Sequence, residues 1–397
     1  MIKNYCQKCV NPISGVNLNF DKEFICSACL MHESFKKIKP QEWEKRQKIF
    51  IKILKSYKKQ SNNYDCVIPV SGGKDSYYQT HLAIKYGLQP LLVTYHGDNF
   101  IPEGDYNRDR MREVFDVDHI VFGPSQKKLK ILNLLSFNIM GDMNWHNHCG
   151  ITTYPIIIAN LFKVPLIIWG ETPVDIFGMF GPKDYVEMSN RIRIEHDLRG
   201  FLPEDLIKRS KGKLKPKDMI WSYYPDEMSL YKNKIRGIYI RNYFKWIPNK
   251  HFELIKKKYG WKDRKEKFDR TYRSFSNLDN IFENGVHDYL KFVKFGYGRG
   301  TDHSSKDIRD GLINRNSGVN NVLKYDHVIP RDLKYWCKYV GISQDEFFFK
   351  ADKFRDNNTW WIEDRKWFKN CIDGEPRSYG YTTYNNNEIN KFNNQRV

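Results

Sequence analysis

From Asp65 to Gly87 the chain reads DCVIPVSGGKDSYYQTHLAIKYG: a short apolar run, a Gly-Gly turn, and a segment of helical length. A strand delivered into a helix by so short a turn is the first half of a βαβ unit, and this constrains the fold more than any other feature. Four further apolar runs follow, PLLVTYH, DHIVFG, VPLIIWG and RGIYIRNYF. Between the runs lie SYYQTHLAIKYG, a charged stretch from Asp105 to Phe115, PSQKKLKILNLL and ITTYPIIIANLFK, all long enough for crossover helices. Strands alternating with helices predict an open α/β fold with a parallel sheet. The interval from Glu171 to Lys234 is rich in charge, aromatics, Gly and Pro, and reads as an insertion over the carboxyl edge of that sheet.

The Gly-Gly turn puts backbone N–H groups and a helix N-terminus where an anion can sit, and phosphate is the expected guest. Gly72 and Gly73 permit close backbone approach, Ser71 and Ser76 can donate hydroxyl hydrogen bonds, and Lys74 supplies charge. Asp75 would repel phosphate, so its expected role is to hold Mg2+ bridging phosphate oxygens, with helix capping as the alternative. The turn is neither GxxxxGK[ST] nor GxGxxG.

The N-terminal forty residues read as a separate unit. Cys6 and Cys9 form one CxxC pair, Cys26 and Cys29 another, with sixteen residues between them. That spacing suits four thiolates closing on one structural Zn2+, ahead of redox pairs or an iron-sulfur cluster. Eight cysteines in 397 residues fit metal ligation in a reducing compartment better than a disulfide framework. No apolar stretch reaches the length of a membrane helix, since YPIIIANLFKVPLIIWG is broken by Asn160, Lys163 and Pro165, and MIKNYCQKC carries no signal-peptide core. A cytoplasmic location without membrane insertion is expected. The net charge of +19 allows an anionic partner: RNA, a nucleotide-linked sugar or an acidic lipid surface. The region after Lys262 lacks strand periodicity and reads as a mostly helical second domain spanning 262–397, ending in a polar, flexible tail, NNNEINKFNNQRV. The α/β domain is then 41–261.

SGGKDS resembles the PP-loop of the ATP pyrophosphatase superfamily. That resemblance implies a PP-loop, adenine nucleotide alpha hydrolase-like sheet, with ATP as the nucleotide and adenylation with pyrophosphate release as the first step. YCQKCVNPISGVNLNFDKEFICSACLMHE, GDMNWHNHCGITTYP, PLIIWGE, GIYIRNYFKW and KFGYGRGTDHSSKDIRDGLINR, in that order, are similar to the N-acetyl sugar amidotransferase family, whose members make acetamidino sugars for O-antigen or flagellar glycans. The resemblance implies an acetamido sugar substrate, nucleotide-linked or a nonulosonic acid, and ammonia as nucleophile. Free ammonia is scarce at pH 7, so a separate glutaminase subunit of the histidine-biosynthesis type is expected, with a cyclase-like channel subunit as a further candidate. The alternative is a tRNA-thiolating PP-loop enzyme. It is disfavoured, and nucleic acid with it, because the α/β region holds only Cys66, which reads as core packing, and Cys149, an activated thiol beside His148 or a buried neutral one.

Three stretches are candidates for the rest of the site. In GDMNWHNHCG, Asp142, Trp145, His146 and His148 precede a helix and are expected to orient the sugar or the attacking nitrogen, or else to form a hydrogen-bonded pocket wall. Glu171 stands at the carboxyl end of PLIIWG, where open α/β sheets carry ligand groups; it would bind Mg2+, guide ammonia, or merely cap a turn. GYGRGTDHSSKDIRDG reads as a flexible basic loop, with Arg299 assigned to the nucleotide and Asp302, His303, Lys306 and Arg309 to the substrate. Lys74, Asp75, Glu171 and His148 are the expected catalytic set.

Overall fold

The structure, a computed structural model, describes residues 4–58, 63–97, 101–172, 177–276, 278 and 281–395. Its centre is a five-stranded parallel sheet of β1 (Cys66–Pro69), β2 (Pro90–Tyr95), β3 (His119–Phe122), β4 (Leu166–Trp169) and β5 (Arg236–Tyr239), in the order β3-β2-β1-β4-β5. Each strand falls inside one of the apolar runs. β2 is buried at every position, and β1 and β4 at their first three, so these strands read as continuous hydrophobic runs. Register runs Val67 opposite Leu91 on one side of β1 and opposite Ile167 on the other.

Side chains alternate between two packed layers. Cys66, Ile68, Leu92 and Ile168 face a cluster containing Phe50 of α2 (Pro40–Lys58), Tyr77 of α3 (Lys74–Lys85), Met111 of α4 (Pro102–Phe115) and Ile255 of the helix Pro248–Tyr259. Val67, Leu91, Val93 and Ile167 face Ile156 and Ala159 of the helix Trp145–Leu161. Preceding α2 is α1 (Ser27–Lys36), and between α4 and Trp145 lies α5 (Gln126–Met140). The helix Trp145–Leu161, α6, starts six residues ahead of the stretch read as helical. Gly150 lies inside it rather than breaking it, because the Tyr95 ring fills the space a Cβ would need.

Pro248–Tyr259 is α7, and it is followed by α8 (Ile281–Phe295), α9 (Arg299–Asp310), α10 (Arg315–Tyr325), α11 (Asp332–Val340) and α12 (Gln344–Asp352). This region is helical but also contains an antiparallel sheet that the sequence reading lacked: β6 (Trp361–Glu363), β7 (Lys366–Asn370) and β8 (Pro376–Tyr381). The β6–β7 turn uses Asp364 and Arg365 at positive φ, so the usual glycine signal is missing. The tail expected to be flexible forms α13 (Asn386–Asn394), started by a reciprocal cap between Asn385 and Glu388. Ile389 and Phe392 pack that helix against a core holding Trp336, Phe347 and Trp367, which also takes in Phe137 of α5. The insertion between β4 and β5 carries short helical segments, the longest Pro203–Arg209 and Glu227–Lys232, joined by turns; 173–176 lie outside the described residues. Among the described residues no helix is long and apolar enough to cross a membrane.

The chain leaves β1 toward β2 and β3, then returns to place β4 and β5 on β1's other side. The connections after β1 and β4 therefore diverge, opening a crevice at the carboxyl ends of these two strands. Gly72, in the β1–α3 turn, has φ +80° and lies against the backbone of Arg108, whose nitrogen would be 2.5 Å from an added Cβ. Gly87 has φ +75° but nothing within 4 Å. Gly87→Ala should cost about 1–2 kcal/mol from backbone strain alone. Gly72→Ala should cost more, as read by denaturant unfolding, because Arg108 must also move.

Candidate functional site

α3 begins without a side-chain cap: Gly73 stands at its N-cap in extended conformation, leaving the first N–H groups of the helix without an intrahelical partner. The turn before it is held from three sides. Trp261 Nε1 donates to Gly72 O at 2.8 Å, Ser71 N donates to Ser76 Oγ at 3.1 Å, and Thr94 Oγ1 donates to Val70 O at 2.6 Å. Ser71 to Ser76 line a pocket of about 200 Å3, closed by Gly104, Phe275, Ser276 and Leu278. Open N–H groups, two hydroxyls and the Lys74 ammonium make this a cradle for a phosphate-sized anion.

Lys74 Nζ lies 2.5 Å from Asp75 Oδ2, while Asp75 Oδ1 is buried without a hydrogen bond and 4.0 Å from His251 Nδ1. Burial pushes the Asp75 carboxyl up, but Lys74 and His251 outweigh it and hold the group well below the usual range. Glu171, across the crevice, accepts from Lys306 Nζ at 2.7 Å; burial again raises it, and Lys306 brings it below its ordinary value. Two ionised carboxylates thus flank the switch point, with a free oxygen on Asp75, a donor set that suits a divalent cation.

Ser71, Asp75, Ser76 and Glu171 also line a larger cavity of about 750 Å3. Its far wall carries His148 of α6, Asp197 and Arg199 of the insertion, His287, Lys291 and Lys294 of α8, and Arg299 and Asp302 of α9. Burial, then Arg199 and His287, lower His148 to about 3; its Nε2 is buried without a partner, so a neutral imidazole faces the cavity. Burial raises Asp197 to about 7 against Arg193 and Arg199, and lowers Lys294 to about 8. Asp142, at the end of α5, is buried and takes His287 Nδ1 at 2.9 Å and Arg199.

Of the expected substrate contacts, Trp145 and His146 turn into the core. Trp145 donates to Phe201 O at 2.9 Å, and His146 Nδ1 lies 3.2 Å from Tyr95 Oη. The basic loop is the helix α9, and its direction divides its residues. Arg299 and Asp302 reach the cavity, already paired with Asp288 at 2.7 Å and Lys291 at 2.7 Å. His303 is buried on Thr271 Oγ1 at 2.6 Å, and Arg309 is buried against the cysteine sulfurs, whose charge holds its cation against burial. Cys66 packs in the core, and burial raises the Cys149 thiol to about 11, so it is no nucleophile. His287, Lys291, Lys294, Arg199 and Asp197 escaped sequence reading, because nothing in their local pattern separates them from surface charge.

Cys6, Cys9, Cys26 and Cys29 are buried, with their sulfurs all within 4.8 Å of one another. Cys6 to Cys29 is 3.9 Å and Cys9 to Cys26 is 3.7 Å. A zinc tetrahedron with bonds of about 2.3 Å needs edges of about 3.8 Å. The fit is that of a closed, structural ion, with N–H groups of Asn11 and Cys26 directed at the sulfurs. The unit is not remote from the cavity. Ser14 Oγ donates to Phe295 O at 2.7 Å, Val16 N donates to Tyr297 Oη at 3.1 Å, and Val16 and Asn17 line the cavity itself.

Residues 263–392 match the model of the family described as "LPS biosynthesis protein WbpG-like, C-terminal domain". That segment is about the last third of the chain, takes in α8 to α12, and supplies His287, Lys291, Arg299 and Asp302 to the cavity. The chain is also similar to the uncharacterized protein MJ1599 of Methanocaldococcus jannaschii, 29% identical over 118 residues, which is 29% of this chain and 41% of that one. The chain thus matches less than half the length of this curated relative. The NMN synthetase from Francisella tularensis aligns with 56% of this chain and 94% of its own, at 16% identity and a TM-score of 0.28.

Two outcomes are expected. Purified protein should carry one zinc ion per chain by elemental mass spectrometry, and Cys26→Ser should remove it and lower the melting temperature. His148 titrates below its unfolded value, so the unfolded chain binds its proton first as pH falls, and folding loses free energy from about 6.5 down to 3. His148→Gln, which takes up no proton, should therefore gain stability relative to the parent over that window, measured by urea unfolding at a series of pH values.

Proposed function

We propose that the protein is an ATP-dependent amidotransferase that converts an acetamido group of a sugar to acetamidino, forming AMP and pyrophosphate, for surface glycan biosynthesis. One observation carries this reading: the glycine turn built for phosphate opens into the same cavity as side chains from the segment that matches the WbpG-like lipopolysaccharide domain. Activation and glycan chemistry would thus share one chamber.

The acetamido oxygen attacks the α-phosphorus of ATP, and pyrophosphate leaves into the cradle of Ser71, Gly72, Gly73, Lys74 and Ser76. Lys74 and the α3 N-terminus stabilise the charge that develops there. Asp75 and Glu171 would hold a Mg2+ ion, whose charge would offset that of the pyrophosphate. Ammonia then displaces AMP from the adenylated imidate. No acidic thiol is needed, and the buried Cys149 thiol supports this reading over thiolation. We assign the ammonia supply to a separate glutaminase subunit of the histidine-biosynthesis type, and the reaction to the cytoplasm, where ATP is available.

AMP and pyrophosphate release should be measured with Mg-ATP and ammonium chloride against UDP-linked diacetamido sugars, acetamido nonulosonic acids and bulk tRNA, with mass spectrometry of products. A sugar should trigger AMP release and exchange an oxygen for NH. Lys74→Met should lower kcat on the order of 10²-fold or more, as for loss of one transition-state donor. AMP release driven by tRNA alone would refute the sugar reading.

A further inference from the structure

The cavity wall opposite the glycine turn holds a carboxylate–imidazole pair that the reaction so far leaves unused. Asp142 follows the αL residue Gly141 at the end of α5, and His287 lies on α8. Asp142 Oδ1 accepts from His287 Nδ1 at 2.9 Å and from Asn144 N at 3.0 Å, while Oδ2 takes Arg199. Burial pushes Asp142 up, but Arg199 and His287 more than compensate, so it is a carboxylate. An acceptor on Nδ1 fixes the tautomer: the proton sits on Nδ1, and Nε2 is the basic nitrogen of a ring that lines the cavity.

The groups around His287 are those of several elements. Asp142 and Arg199 face it from the α5 end and the insertion, His148 of α6 has its ring centre 5.8 Å away, and Asp288, Lys291 and Lys294 share α8. The cations are engaged: Lys291 with Asp302, Arg299 with Asp288, and Lys294 with Met140 O at 3.3 Å. His148 is neutral near pH 7 with an unpartnered Nε2. Among the described residues of this wall, His287 is the ring set up to exchange a proton, and His148 the one set up only to share a hydrogen bond.

We infer that the Asp142–His287 pair handles the protons of amide activation and replacement, His287 Nε2 as acid–base and Asp142 as its positioning residue. This rests on the amidotransferase reading above. As the amide oxygen forms its bond to the α-phosphorus, the phosphoanhydride bond breaks and pyrophosphate takes the electron pair. His287 removes the amide N–H proton, and that N–H electron pair becomes the C=N bond of a neutral imidate. His287 returns the proton to this nitrogen as ammonia's lone pair forms the new C–N bond. It then takes a proton from the added NH3+ as the C–O bond breaks and AMP leaves with its electron pair. The product is a protonated acetamidine, and one proton passes from His287 to solvent.

The test uses the full chain with Mg-ATP, ammonium chloride and whichever acetamido sugar releases AMP with the parent protein. His287→Gln should lose 10²–10⁴-fold in kcat, the range of general acid–base catalysis, with KM little changed. The acid limb of the parent's kcat/KM profile should vanish in His287→Gln and shift in Asp142→Asn, with ATP binding and melting retained. A loss confined to KM with the limb unchanged would make the pair a binding wall and overturn the inference, as would full activity. Should His287→Gln fail to fold, diethylpyrocarbonate treatment of the parent decides: inactivation with modification at His287, blocked by sugar, supports it, and full activity after that modification overturns it. If no acetamido sugar releases AMP from the parent, the amidotransferase reading itself has failed, an outcome distinct from normal turnover by both variants.

Discussion

The reversal of strand order between β1 and β4 is the constraint on which the rest of the molecule depends. Because β2 and β4 flank β1, the turns that follow β1 and β4 leave the sheet in opposite senses and cannot cover the crevice between them. A fold that bridged this gap with apolar packing would have no site. Here the gap is spanned by charge, with Asp75 on one lip, Glu171 on the other, and Lys306 from the distant α9 bonded to Glu171. The sheet's apolar core and the helical region are thereby joined across a chamber that carries these charges.

α9 is the element that makes the chamber one object. Arg299 and Asp302 near its start meet α8 at the cavity, Lys306 in its middle meets Glu171, and Arg309 near its end lies against the cysteine sulfurs. A rigid helix rises about 1.5 Å per residue, so these contacts are spread over roughly 15 Å of one rod. Displacement at the cysteine end would be transmitted to the cavity end. The cysteine unit also contributes Val16 and Asn17 directly to the wall, so an ion held by its four sulfurs would brace the chamber from two directions.

The sheet was legible in the sequence because its central strands β1, β2 and β4 are buried on both faces, and such burial writes itself as unbroken apolar runs. The glycine turn was legible because close backbone approach, at Gly72 against Arg108, leaves a residue-type signature. α9 was not: its buried residues include Thr301, Ser304, Ser305 and Asp307, small or polar side chains with no apolar run, so a largely buried helix reads as a basic loop. Trp145 and His146 failed for the converse reason. They stand in a motif beside real cavity residues, but helical rotation turns them into the core while His148 faces the cavity. His287 pairs with Asp142 across 145 residues, and no local pattern encodes such a contact.

The ion pairs in and behind the cavity wall come at a cost that stability does not explain. Arg270 and Arg299 share Asp288, Arg273 pairs with Asp307, and Asp142 is buried among Arg199 and His287. Buried ion pairs roughly break even against apolar side chains of the same volume, because desolvation offsets the Coulombic gain. Apolar packing would have closed the gap between α8, α9 and the sheet at least as well. What the charged lattice supplies instead is fixed orientation: Arg299, Lys291, Lys306 and His287 are each held by an acid, so few of these groups need to reorganise when a polar guest enters. Preorganisation of that kind is worth more to a reaction that develops and discharges charge than to the fold that carries it.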